Sequence, residues 1–519
     1  MTAASELLVR PVPRPAGRPF GVRLPFVWLT AFAVANALVF LIVQPPVGDL
    51  WAARARQSAA THGVGLGYWF SWFSGGSTPG NYSVLSPYLS GVFGSAVLGA
   101  LATVALTPLT AHLLRGSTHR TAATTVCTFV VGTSLWSARV PFALGTVFVL
   151  AALIEVRRRR RAGGAAWAVV SALVSPVSAA FLVMGAGALF LVQPRFRTVS
   201  AWTAGAGLAS LLTIAIVFGA PGPEPFPAHR ALLLVAALGL MLAARPAGYV
   251  RVVIVVATAA CLPLAMIPNG MGSNFQRLVW IYLPVAVVAT ATVRMRSALA
   301  ACLLSIALGV EATAGDLWVS AQPMSSGRYY DSLAAQLDRT SGLADFRVEV
   351  VSDGTHTAAY ALLEHAMLAR GYETQEDNAY NAILMSTTLD AVSYKVWLDN
   401  NAVGFVAIAR KSLSTNPEEQ LVARHRPYYL KEIWSDQHWL LYRVVNPSPI
   451  ITPPAAVIDA DQASLQIKVP RAGRYTVRVH WSSFLKVSTK PNVTAMLSDD
   501  GFGFTNMTVS APGIYTMHG

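Results

Sequence analysis

The chain has 519 residues, 54% of them hydrophobic and only 12% charged, with a formal net charge of +14. A soluble domain carries about a quarter charged residues, so this composition excludes one and marks a membrane protein. The cations fall in short clusters between apolar runs, as loops beside membrane spans do, which argues against nucleic acid as a partner.

Residues 1–23 are basic and proline-rich, and no small-residue cleavage site follows the next apolar run. They read as a cytoplasmic tail rather than a removable signal. A spanning helix needs about 20 mostly apolar residues, fewer where it is broken. Eleven segments fit: 24–44, 86–113, 121–137, 141–156, 165–176, 177–193, 199–219, 230–244, 250–267, 278–293 and 297–314. Ser175 and Pro176 interrupt the stretch 165–193, which reads as two short helices. With that break, Arg115, Arg120, Arg157–Arg161, Arg195, Arg197, Arg245, Arg251, Arg294 and Arg296 all fall on the cytoplasmic side. An odd number of spans then places everything after residue 314 outside the cell.

The stretch LIVQPPVGDLWAARAR (41–56) leads from the first span into the longest outer loop, 45–85. It holds a lone acid, Asp49, then Trp51, Arg54 and Arg56. Residues 52–57 suit a short surface helix, and Tyr68, Trp69, Phe70, Trp72 and Phe73 suit the membrane interface. The run SGGSTPGN at 74–81 reads as a flexible turn. Two further outer spots carry arginines: Arg139 in SARVPFALG, and Arg277 in NGMGSNFQR beside Asn274. Arginine forks bind phosphate oxygens, although they also snorkel to lipid headgroups.

From about residue 315 charge and amphipathic patterning return. Helices are expected at 329–339, 360–370 (ending at Gly371) and 389–400, and strands at 346–351, 403–409 and 439–445. After NPSP at 446–449 the pattern becomes all-β, with strands at 463–469, 473–481, 492–496 and 505–510. The expected layout is a cytoplasmic tail (1–23), a transmembrane domain (24–314), an α/β module (315–446) and a β-sandwich-like module (447–519). Cys127, Cys261 and Cys302 lie in apolar runs, so the outer part has neither a disulfide framework nor a cysteine metal site. His356 and His365 are spaced too widely for a metal pair and read as surface residues. No Walker loop, HExxH or dinucleotide fingerprint is present. Chemistry, if any, uses a donor that lives in the membrane.

The organisation resembles the GT-C class of polytopic glycosyltransferases, through Gly48-Asp49 just after the first span, the long first loop and the exported tail. Several segments also resemble a group of actinobacterial membrane proteins allied to that class: YSVLSP (82–87), RVPFALG (139–145), ALVSPV (172–177), NFQR (274–277), LARGYETQED (368–377) and WLDNNAVGFVA (397–407). The resemblance implies a polyprenyl-phosphate sugar as donor, a cell-envelope glycan or lipid as acceptor, and transfer at the outer face of the plasma membrane. No cofactor is implied beyond the lipid-linked sugar. Asp49 would be the catalytic base. Arg139, Arg277, Arg54 and Arg56 would bind the donor phosphate, and His62, Trp69 and Asn274 would contact the acceptor or loop. Better-known members carry a second acid in the first loop. With Asp49 alone, the expected mechanism is inverting and metal-independent. The alternatives are a non-catalytic scaffold or envelope-assembly protein, a membrane-anchored receptor and, less favoured, a transporter, since no repeat of broken helices is visible.

Overall fold

The computed structural model describes residues 24–219, 221–489, 491 and 493–519. The expected cytoplasmic tail, and Asn492 of one expected strand, lie outside the described residues. The chain divides into two compact units. The helical unit takes residues up to Pro45 together with Asn81–Trp318, and the β-rich unit takes Pro46–Gly80 together with Val319–Gly519. The first outer loop therefore folds with the C-terminal part.

Helices form in each apolar segment of the helical unit. Among the described residues six are long and apolar enough to cross a membrane: Leu24–Val43, Ser95–Leu113, Val140–Arg157, Pro194–Phe218, Gly248–Met266 and Met295–Ser320. Arg161–Val174, Pro176–Val192 and Ala228–Ala243 are shorter apolar helices. The chain is a multi-pass membrane protein. The break at 175 is a helix boundary: Ser175 is extended, its hydroxyl caps Pro176–Val192 by accepting from the Ser178 amide, and Pro176 takes the first turn, where its missing N–H costs nothing. Inside the helices, hydroxyls such as Thr103, Thr124, Thr128 and Thr146 donate to the carbonyl four residues back. This satisfies them where no water is available.

The basic loops gather at one end of this unit. Arg157 donates to the Leu113 and Arg115 carbonyls, Ser117 to Ala289 and Thr292 to Arg245. At the other end Arg139 pairs with Asp316 and Arg230 with Glu311. The grouping of charges expected from the sequence is thus a grouping in space.

Among the described residues the β-rich unit has three hydrophobic core clusters. Strands β1 (Arg347–Val350), β2 (Val403–Ala409), β3 (Leu430–Ser435) and β4 (Trp439–Val444) form a sheet in the order β1-β2-β4-β3. Only β1 and β2 run parallel. β2 is buried along its whole length, as a central strand of near-continuous apolar residues should be. Then follow β5 (Ala456–Ala460), β6 (Ser464–Val469), β7 (Gly473–His480), β8 (Lys486–Ser488), β9 (Ala495–Asp499), β10 (Phe504–Val509) and β11 (Gly513–His518). They make two antiparallel sheets, β7-β10-β9 and β5-β6-β11-β8, which share one core of Leu465, Ile467, Val477, Met507 and Tyr515.

The helix expected at 360–370 does not form. Only Ala358–Ala361 is helical. Residues 367–369 instead pair with β1, the Val348 amide donating to Met367 and the Ala369 amide to Val348. Pairing with a buried strand outweighs the helical pattern, since propensity is a weak prior against tertiary contacts.

Candidate functional site

Asp49 lies in the first turn of the helix Gly48–Thr61, which begins directly after Pro45-Pro46 and the extended Val47. A carboxylate there complements the positive end of the helix dipole. The Tyr372 hydroxyl donates to Asp49 Oδ1 at 3.4 Å. Gly48 permits this approach: a Cβ on it would lie 2.7 Å from the Tyr372 oxygen. One turn on, Trp51 stacks on Tyr360 with centroids 5.0 Å apart and planes 17° apart, and its indole N–H donates to the Ser325 carbonyl at 3.0 Å. The Arg54 guanidinium lies 4.9 Å over the Trp51 ring, and partial burial lowers its pKa. His356, expected at the surface, is half-buried and packs edge-on against Tyr372 at 5.3 Å. A small cavity of about 40 Å³ beside it is lined by Ser352, Asp353, His356, Arg370 and Gly371. It has room for a few waters and none for a sugar ring. What the arrangement offers is a half-exposed carboxylate beside a phenol and an aromatic stack.

Arg56 serves the fold rather than a ligand. It is buried and paired with the buried Glu373, and it lies 5.6 Å from the Trp72 ring. Glu373 belongs to LARGYETQED, whose Arg370 and Asp377 form a second buried cluster with Glu349 and Glu418. Arg370 donates from Nε to Asp377 Oδ1 at 2.9 Å and from Nη1 to Glu418 Oε2 at 2.8 Å, and lies 3.5 Å from Glu349. Asn381 and Tyr394 add hydrogen bonds to Asp377 and Glu418. Burial, then the neighbouring Glu418, pushes the Glu349 carboxyl well above its ordinary range. Burial raises Glu418 too. Burial also works on Asp377, but the Arg370 charge and hydrogen bond outweigh it and hold that carboxyl below its ordinary value. Burial, reinforced by Glu373, raises Glu376 well above its ordinary value. Among the described residues no group of His, Cys, Asp or Glu is placed to hold a metal.

The loop aromatics are core residues of the β-rich unit, not interface anchors. Trp69 and Trp72 are 1% and 0% exposed and stack at 4.1 Å. The Trp72 N–H donates to the Ala359 carbonyl, the Tyr68 hydroxyl to His480, and the Leu368 amide to Ser71. The run 74–81 is ordered: Ser74 is buried and donates to Asn401 at 2.8 Å. His62 caps the far end of the Gly48–Thr61 helix, about 20 Å along the axis from Asp49.

In the helical unit, Arg139 precedes the helix Val140–Arg157 and pairs with Asp316 at 2.9 Å. The Arg277 guanidinium lies 5.3 Å over the ring of Phe142, in the first turn of that helix. Asn274 sits one turn before Arg277, in the short helix Gly272–Phe275. Two arginines thus flank one helix N-terminus, a setting that favours phosphate. Asp49, Arg54 and Arg56 belong to the β-rich unit, and Arg139, Arg277 and Asn274 to the helical unit.

No protein-family model matches the chain, and no curated protein does. Among solved structures, it is similar to two cryo-EM structures of the arabinofuranosyltransferase AftD from Mycobacteria, each at 15% identity over 86% of this chain. The TM-scores are 0.47 for a mutant form and 0.43 for a second structure. The chain spans 43% and 41% of the length of those structures.

Proposed function

We propose that the chain is a membrane glycosyltransferase that moves a sugar from a polyprenyl-phosphate donor to a cell-envelope acceptor at the outer face of the plasma membrane. The N-terminus is cytoplasmic and the β-rich unit extracytoplasmic in this reading. The observation that carries it is Asp49, a half-exposed carboxylate oriented by the Tyr372 hydroxyl beside the Trp51–Tyr360 stack. A general base must come within hydrogen-bond reach of the acceptor hydroxyl, and an aromatic face beside it is a surface on which a sugar ring packs. In the helical unit, taken by itself, Arg139 and Arg277 at one helix N-terminus would bind a phosphate group.

The test is Asp49→Asn, assayed in membranes with a panel of polyprenyl-phosphate sugars. Transfer should fall by at least about 10²-fold, the usual contribution of a positioned base, with normal abundance and a loss of no more than the about 0.3–1 kcal/mol of stability that a first-turn acid supplies. Full activity in this variant would remove Asp49 from the mechanism. A second reading, a non-catalytic scaffold, is favoured by the position of Asp49 in the first helical turn, where it also stabilises the helix. It predicts that the same substitution costs about 0.3–1 kcal/mol of stability and alters no glycan.

A further inference from the structure

A cavity of about 240 Å³ lies inside the helical unit. Along Val140–Arg157 it is lined by Thr146, Val149, Leu150, Leu153 and Arg157, one stripe of the helix. At about 1.5 Å per residue that stripe runs about 16 Å along the axis, which is half of the roughly 30 Å hydrocarbon core of a bilayer. The lining stripe is thus about as long as one leaflet is thick.

Its walls offer little to a polar ligand. Thr146 bonds Tyr282 at 2.6 Å, and Thr110 bonds Cys127 at 3.2 Å. Thr290 donates to Ala286 and accepts from the Ala247 amide. Charge enters at one end only. There Arg157 bridges to the Leu113 and Arg115 carbonyls, with Arg115, Arg158 and Arg159 exposed beside it. A long apolar slot with cations at its mouth has the shape and polarity of a lipid site.

We propose that this cavity holds one acyl chain of an anionic phospholipid from the leaflet at the basic end, with its phosphate beside Arg115 and Arg158. The inference stands apart from sugar transfer, because a resident lipid undergoes no reaction. Gly185 lines the cavity, and a Cβ added there meets nothing within 4 Å, so a larger side chain enters the space without a clash at its base.

The experiment uses the full chain purified from membranes in mild detergent, with retained lipid read by native mass spectrometry and lipid extraction. The wild type should carry a single anionic phospholipid per chain. Gly185→Phe and, on another helix, Ala286→Leu should each retain roughly tenfold less, as for a contact weakened by one decade, while eluting like the wild type. Arg115→Glu should shift the retained lipid from anionic to zwitterionic. The proposal is overturned by a wild type that retains no lipid, by a polyprenyl phosphate in the phospholipid's place, or by equal retention in the cavity-filling variants.

Discussion

In the helical unit the ion pairs sit at helix ends, Arg139 with Asp316 and Arg230 with Glu311, while interior hydroxyls bond back to their own helices. In the β-rich unit the charges are inside: Glu349, Glu373, Glu376, Asp377 and Glu418 are buried around Arg56 and Arg370. The difference follows from what each solvent penalises. A membrane helix satisfies its backbone alone and needs no buried ions. The β-rich unit gathers distant segments, and charged side chains with matched partners fix which segments meet. Neutralisation is incomplete there, since the acids named outnumber the two arginines, and burial raises the carboxyls of Glu349 and Glu376 well above their ordinary range.

Arg370→Ala is the sharpest way to break this contrast. It leaves Asp377 and Glu418 buried without their cation, which should cost about 3–5 kcal/mol, and limited proteolysis should show the β-rich unit opened and the helical unit intact. Trp72→Ala should cost a similar 3–5 kcal/mol, the usual loss for a buried aromatic; an unchanged melting curve would return this loop to the membrane surface.

Glu349→Gln tests the protonation argument. A carboxyl with a raised folded-state pKa stabilises fully below its unfolded value of about 4.3 and loses that contribution as pH rises through the folded value. Asp377, held low, acts oppositely and loses its contribution as pH falls through its own. The β-rich unit should therefore be most stable in mild acid, and Glu349→Gln should flatten the alkaline side of the thermal stability profile and raise stability at neutral pH. The smallest effect is expected for Arg230→Gln. Its pair with Glu311 is exposed on both sides, so it should change stability by less than about 1 kcal/mol.

The helices were legible because apolar runs of membrane length have few alternatives, and Ser175-Pro176 marked its own boundary. β2 and β4 were legible as apolar strands bounded by turn residues. The edge strand β3, LKEIWS, was not, because its exposed charges mimic a loop. The charged cluster was hidden for a different reason. Glu349 sits in FRVEVV, whose alternation reads as one face wet, yet Arg347, Val348 and Glu349 are all buried. Only distant partners, Arg370 for Glu349 and the Asn401 and Arg478 carbonyls for Arg347, make that burial possible. Asp49 was visible in the sequence as a lone acid, whereas Tyr372, which orients it, lies 323 positions away.

The β-rich unit is discontinuous in the chain, and this sets an order of events during synthesis. Residues 46–80 emerge early with Trp69, Trp72 and Phe73, whose partners outside this segment begin only after residue 318. At about 5–20 residues per second, the ribosome spends tens of seconds making the intervening helices. Through that interval the loop is a hydrophobic segment without its later partners. A chain truncated after the last membrane helix would never cover it, and such a product should be cleared by quality control rather than accumulate as a helical domain.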